Sequence, residues 1–168
     1  DYVNVKSDQL TYFTDLLFSE KDDDSRFGYR SQFNYQPSNF SYISGSILYF
    51  DENFHLNDFG YLRRADWIHV GLGGGLKQIN FSKESPVDQI DMNVDFNYDA
   101  DTNGNSNPIR IDQKNEITFK DTSKLKFDFG IKTSGKNTTI TRKNPDFPFV
   151  KIKKKRNITL DFEAVNYK

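Results

Sequence analysis

The chain has 168 residues, enough for one domain, and 23 Lys+Arg stand against 24 Asp+Glu, so no long-range field draws it to nucleic acid. Cysteine is absent, which excludes a disulfide framework and thiolate metal centres, and no run reaches the ~18 apolar residues of a membrane helix. Hydrophobic residues make up only 35 % while aromatics reach 15 %; disordered chains are poor in aromatics, whereas strands with one apolar and one polar face give both values together.

Period two runs through most of the chain. Phe27, Tyr29, Phe33 and Tyr35 share one face of a strand, and Arg26, Arg30, Gln32 and Asn34 share the other. A second aromatic strand follows, and then residues 51–66 break the alternation as a non-strand insert. Ile68, Val70, Leu72 and Leu76 next alternate with His69, Gly71, Gly73, Gly75 and Lys77. Met92, Val94, Phe96 and Tyr98 alternate with Asp91, Asn93, Asp95 and Asn97. The same pattern recurs over Ile109–Phe119, Leu125–Ile131 and Ile158–Phe162. Turn residues separate these runs at Lys21–Ser25, Gln36–Asn39, Lys83–Pro86, Asp99–Pro108, Lys120–Ser123 and Ser134–Asn137. The spacing predicts an all-β fold of about ten antiparallel strands with almost no helix. Residues 1–168 are expected to form a single domain or part of one. The first residue is Asp1 rather than Met, which reads as a processed or excised chain.

Two architectures satisfy the alternation. A soluble β-sandwich turns its apolar faces inward, whereas an antiparallel transmembrane β-barrel turns them outward to lipid and lines a wet lumen with the polar ones. Long strands, densely charged polar faces and aromatics near strand ends (Tyr35, Phe50, Trp67, Tyr98, Phe119) lean toward the barrel.

The insert concentrates the unusual chemistry. Phe54–Trp67 reads FHLNDFGYLRRADW, with Phe54, Phe59, Tyr61, Leu62 and Trp67 set around Asn57, Asp58, Arg63, Arg64 and Asp66. Arg63 and Arg64 can pair with Asp58 and Asp66, and the aromatics can pack against a barrel wall. A long solvated loop is the plainer reading. Tyr61, Trp67 and the arginines also suit sugar recognition, through an aromatic face and charged hydrogen-bond donors.

The run RFGYRSQFNY from Arg26, followed by FSYISGSILYFDENFHLNDFGYLRR up to Arg64, resembles the C-terminal barrel region of uncharacterised Bacteroidota outer-membrane proteins. In that family the barrel follows an N-terminal carbohydrate-binding family 9-like domain. Gly28-Tyr29 matches the family's strand start. Asn57-Asp58-Phe59-Gly60-Tyr61-Leu62-Arg63-Arg64 matches its Asn-Asp-x-Gly-Tyr/Phe-Leu-x-Arg segment, and the next strand opens on Trp67. The later hairpins carry no specific motif. The carbohydrate-binding domain has no counterpart here, and Phe162–Lys168 does not end on a terminal aromatic, so the resemblance implies an internal portion of a larger barrel. It further implies a bacterial outer-membrane location, contact with outer-membrane lipid and other envelope proteins, and passage or binding of glycans or other solutes. In that setting the insert constricts the lumen. The alternative is a soluble secreted carbohydrate-binding β-sandwich.

Other motifs are weaker. Asp99, Asp101 and Asn103 begin like a calcium loop, but Arg110 stands where the loop's closing Glu belongs and the flanks read as strands; an Asp/Asn/Gly-rich hairpin loop is the plainer assignment. The basic run Lys151–Arg156 fits lipid phosphate or a solvated strand end. Gly71, Gly73, Gly74 and Gly75 lack the spacing of a phosphate loop and suit curvature or the close approach of another segment, the insert above all. His55 and His69 have no ligand spacing, and no nucleophile motif stands out. No metal, cofactor or enzymatic activity is expected, although the many carboxylates leave a hydrolase open.

Overall fold

A computed structural model describes residues 2–21, 24–52, 54, 65–137 and 149–164. Alternation becomes strand as expected: β1 (Tyr2–Lys6), β2 (Leu10–Lys21), β3 (Asp24–Ser38), β4 (Ser41–Phe50), β5 (Trp67–Gln78), β6 (Val87–Ala100), β7 (Arg110–Phe119), β8 (Lys124–Lys132), β9 (Gly135–Asn137), β10 (Val150–Ile152) and β11 (Lys155–Glu163). There is no helix among the described residues. Nine strands form one antiparallel sheet in the order β1-β2-β3-β4-β5-β6-β7-β8-β11, and β9 pairs with β10 in a separate two-stranded ribbon. The sheet is a meander, each strand beside its predecessor, with the ribbon inserted before the last. Its edges are β1 and β11.

Directly opposed residues share a face, so the register sorts every side chain. Across β3, β4, β5 and β6, for example, Phe33, Gly45, Leu72 and Phe96 line up on one face, and Gln32, Ser46, Gly71 and Asn97 on the other. Followed through all nine strands, the first face is mainly apolar from Val3 to Phe162, interrupted by Gln113 and Asn115 of β7, and the second is mainly polar or charged, with Phe13, Leu17, Leu48, Phe50 and Trp67 as its apolar members. The exposed large hydrophobics that these strands carry all lie on the apolar face, among them Val3, Phe18, Ile43, Leu72, Val94, Phe127 and Leu160. No second layer covers them among the described residues. The buried hydrophobic residues there are Phe50, Phe54 and Ala100, far fewer than a sheet packed on another layer provides.

The connections divide by end. Residues 7–9, 39–40, 79–86 and 120–123 join strands at one end; 22–23, 51–66, 101–109 and 133–154 join them at the other. Three of the connections at the second end are long, and they hold one another. Thr102 N donates to the Asp66 carboxylate at 2.7 Å, Lys136 N to Ser106 O at 2.8 Å, and Thr133 N to Ile109 O at 3.0 Å.

The expected turn at Ser134–Asn137 is instead β9. Lys136 binds the 101–109 connection, and Gly135 lies so close to it that a Cβ would come within 2.5 Å of the Pro108 nitrogen. β2 is a full strand of twelve residues although its sequence alternates poorly. Of the expected insert at 51–66, residues 51, 52, 54, 65 and 66 are described and none is in a strand; the others lie outside the described residues.

Candidate functional site

The stems of the insert meet on the polar face. Phe50 ends β4 directly opposite Trp67, which begins β5, and Gly28 of β3 lies across from Phe50 on its other side. Asp51 fastens this junction. Its carboxylate accepts Phe27 N at 2.7 Å and the Tyr49 hydroxyl at 2.7 Å, and its carbonyl accepts Phe54 N at 3.2 Å and Asp66 N at 3.0 Å. One acidic residue thus ties the end of β3 to both stems.

Phe54 folds back onto Phe50, with ring centroids 5.4 Å apart, and both rings are buried. They stand over Gly28: a Cβ there would meet the Phe50 ring at 2.9 Å and the Phe54 ring at 3.2 Å. Among the described residues of the insert, the close approach is that of Phe54 to Gly28. At Gly71, Gly73 and Gly75 the nearest groups are side chains of the sheet itself, Ser46 Oγ, Ser44 Oγ and the Tyr42 ring.

On the other stem, Asp66 has φ 53 and is 1 % exposed. That left-handed conformation is uncommon for residues other than glycine but tolerated by Asp, and here it turns the chain into β5. Its Oδ1 accepts both the Thr102 amide at 2.7 Å and the Thr102 hydroxyl at 2.5 Å, coupling the insert to the β6–β7 connection. Trp67 stacks on Phe50 at 6.5 Å and meets His69 at 5.6 Å. Its indole N–H donates to Asp99 Oδ1 at 2.9 Å, and His69 Nδ1 lies 2.9 Å from the same oxygen. With Asp99 as acceptor, the proton sits on Nδ1 and Nε2 is left to face the sheet surface near Gly71.

Of the residues expected at this site, Asp66 and Trp67 are brought together here, while Asn57, Asp58, Tyr61, Arg63 and Arg64 lie outside the described residues. Asp99 and Asp101, the calcium candidates, are both committed to protein donors. Asp99 serves Trp67 and His69, and Asp101 accepts Asn105 N at 2.8 Å and Asn105 Nδ2 at 3.0 Å, closing its own loop, with Asn103 exposed at the tip. No cluster of three acidic or histidine side chains suited to a metal occurs among the described residues. Sequence reasoning missed Phe50, Asp51, His69 and Thr102. Phe50 and His69 belonged to ordinary alternating runs, and only the register, which places Leu48 opposite His69 and His69 opposite Asp99, reveals the cluster.

Next to this junction the polar face carries a hollow of about 390 Å³, bordered by Gln32, Asn34, Ser44, Ser46, Asp95 and Asn97. Its polar groups are mostly uncharged hydrogen-bonders. Beyond it, Arg30 bonds Asp15 through Nε at 3.0 Å and stacks its guanidinium 4.5 Å above the Phe13 ring. Asp95 and Asp112 are register partners across β6 and β7, but Arg110 Nε holds Asp112 at 2.5 Å, which leaves them unlike an acid–base pair across a sugar. The geometry brings together the half-buried Trp67 ring, the Asp99 carboxylate shared by Trp67 and His69, and a floor of mostly uncharged hydrogen-bonding side chains with Asp95 among them.

No protein-family model, curated protein or solved structure matches this chain.

Proposed function

We propose that the nine strands are part of an outer-membrane β-barrel whose apolar face meets lipid and whose polar face lines a solute path. The insert narrows that path at its outer mouth. The observation that carries this reading is the sidedness of exposure: the exposed large hydrophobics of the sheet stand on one face, and no described residue covers them. In water such a face is an aggregation surface, whereas in a bilayer it is the required one. Strand lengths of 9 to 15 residues from β2 to β8 and in β11 fit the ~9–11 residues that cross a hydrocarbon core at a tilt. The connections support an orientation as well, since barrels of this class keep short turns on the periplasmic side and longer loops outside. The end with the insert then faces the cell exterior.

The resemblance to the Bacteroidota barrel proteins agrees with this placement and suggests glycans as solutes. The uncharged hydrogen-bonders of the hollow and the half-buried Trp67 ring suit hydroxylated molecules. The partners are outer-membrane lipid and other envelope proteins, and no catalytic step is assigned.

The test is the solvent that the chain requires. The 168-residue protein should stay dispersed in detergent and associate in plain buffer. A stable monomer in plain buffer, with no detergent bound, would sink the barrel and favour the secreted carbohydrate-binding β-sandwich.

A further inference from the structure

Resting on the barrel reading, a further inference comes from strand direction. Each strand of the meander reverses its neighbour, so in a sheet of nine the first and last strands run the same way. β1 runs from the end bearing the insert to the end bearing the short turns, and so does β11. An antiparallel hydrogen-bonded seam between them is therefore impossible. Both edges also display regular ladders. β11 pairs with β8 along all nine of its residues, Lys155–Glu163, without a bulge, and its other edge carries the same backbone period. No Pro and no bulge interrupts β11, although Lys155, Arg156, Asp161 and Glu163 set charges along it.

We propose that β1 and β11 are internal joints of a larger barrel, bridged by an odd number of further antiparallel strands of the same alternating pattern. One such strand, running from the short-turn end to the insert end, is antiparallel to both edges at once. A second copy of this sheet does not meet the need. Inserted with the same sidedness, it offers β1 to β11 in parallel; to offer antiparallel edges it must enter the membrane upside down. Barrels made by single bacterial chains have even strand numbers, and nine plus an odd number restores that parity.

The experiment varies the parity of the chain. In the ten-strand form, a copy of Lys120–Lys132 is appended after Ala164, so that the copied Leu125 falls opposite Phe162 on the apolar face, as Leu125 falls opposite Ile117 of β7. In the eleven-strand form, a copy of β11 follows it. The unaltered chain is the third form. Because the protein has no cysteine, a pair introduced one on β1 at Asn4→Cys and one on the last strand reports the seam by disulfide formation. Each form is folded into phospholipid vesicles and judged by seam cross-linking and by heat-dependent mobility in gels. The ten-strand form is expected to give a cross-linked, heat-modifiable monomer, while the nine- and eleven-strand forms give at least tenfold less of it. Equal yields from all three, or a β1–β11 cross-link in the unaltered chain through parallel pairing, overturn the proposal. Failure of every form to enter vesicles overturns the barrel reading beneath it.

Discussion

Two leucines on β5 separate lipid from water as the medium outside the apolar face. Leu72 lies at the middle of the strand and Leu76 four residues nearer its end, both on the apolar face, 51 % and 49 % exposed. Their surroundings are alike, so replacing either by arginine in a water-exposed sheet perturbs stability about equally, within ~0.5 kcal/mol. In a bilayer they differ in depth. Four residues at ~3.3 Å each, on a strand tilted by ~40°, amount to about 10 Å along the membrane normal. That distance carries a side chain from the midplane of a ~25 Å apolar band almost to its edge. Leu72→Arg then costs about 2–4 kcal/mol and Leu76→Arg about 0–1 kcal/mol. At 1.4 kcal/mol per tenfold, the gap corresponds to a difference on the order of 30-fold in the folding equilibrium. Urea titration of vesicle-embedded protein measures it, with the emission of Trp67, the single tryptophan, as the signal. Equal losses from the two variants would refute the lipid placement of this face.

Three other substitutions probe the cap and the turns. Phe50→Ala removes the ring that joins Phe54 to Trp67 and should lower stability by about 3–5 kcal/mol, with a red shift of Trp67 emission. Thr122 sits at φ 67 in the β7–β8 turn, where a β-branched residue is strained, so Thr122→Gly should raise stability by about 1 kcal/mol in the same titration. In that turn the Ser123 hydroxyl, and then its amide, donate to Asp121 and hold its carboxyl below the usual range. A depressed folded value contributes stability above the ordinary Asp value and loses it as pH falls through the depressed one. Asp121→Asn should therefore flatten the acid limb of an unfolding curve followed below pH 4, and an unchanged limb would count against this bond.

The sequence made most of the sheet legible because a strand's period is written directly in residue order. In β6 and β8 the apolar and polar phases are clean and the faces agree with the register, whereas β7 carries Gln113 and Asn115 in its apolar phase. β2 was harder to read. Phe13 and Leu17 occupy the polar phase, so the period blurs; the structure explains Phe13, whose ring lies under the Arg30 guanidinium. The site was less legible than the sheet. Its residues come from strands that are distant in sequence, and nothing in the chain marks Asp99 as the partner of His69 rather than the start of a cation loop. The single signal was Trp67, a lone aromatic opening a strand directly after a non-alternating insert.

Side-chain size adds an argument about which way the sheet bends. Along β4 and β5 the polar face carries Ser44, Ser46, Gly71, Gly73 and Gly75, while the apolar face carries Ile43, Ile47, Val70, Leu72 and Leu76. A sheet with small groups on one side and branched groups on the other relieves crowding by curling toward the small side. Neighbouring side chains occupy the space the glycines leave: a Cβ at Gly75 would strike the Tyr42 ring, and one at Gly73 would come within 2.9 Å of Ser44 Oγ. Two glycines of these strands, Gly45 and Gly74, stand on the apolar face, and the first is filled from that side. Gly45 is covered by the Phe33 ring, whose nearest carbon would lie 2.3 Å from an added Cβ, so the aromatic closes what would be a gap in the apolar surface. A sandwich sheet curls around its apolar core. Under the proposed barrel, the sheet curls around its polar face and puts the leucines and isoleucines on the convex side, against hydrocarbon.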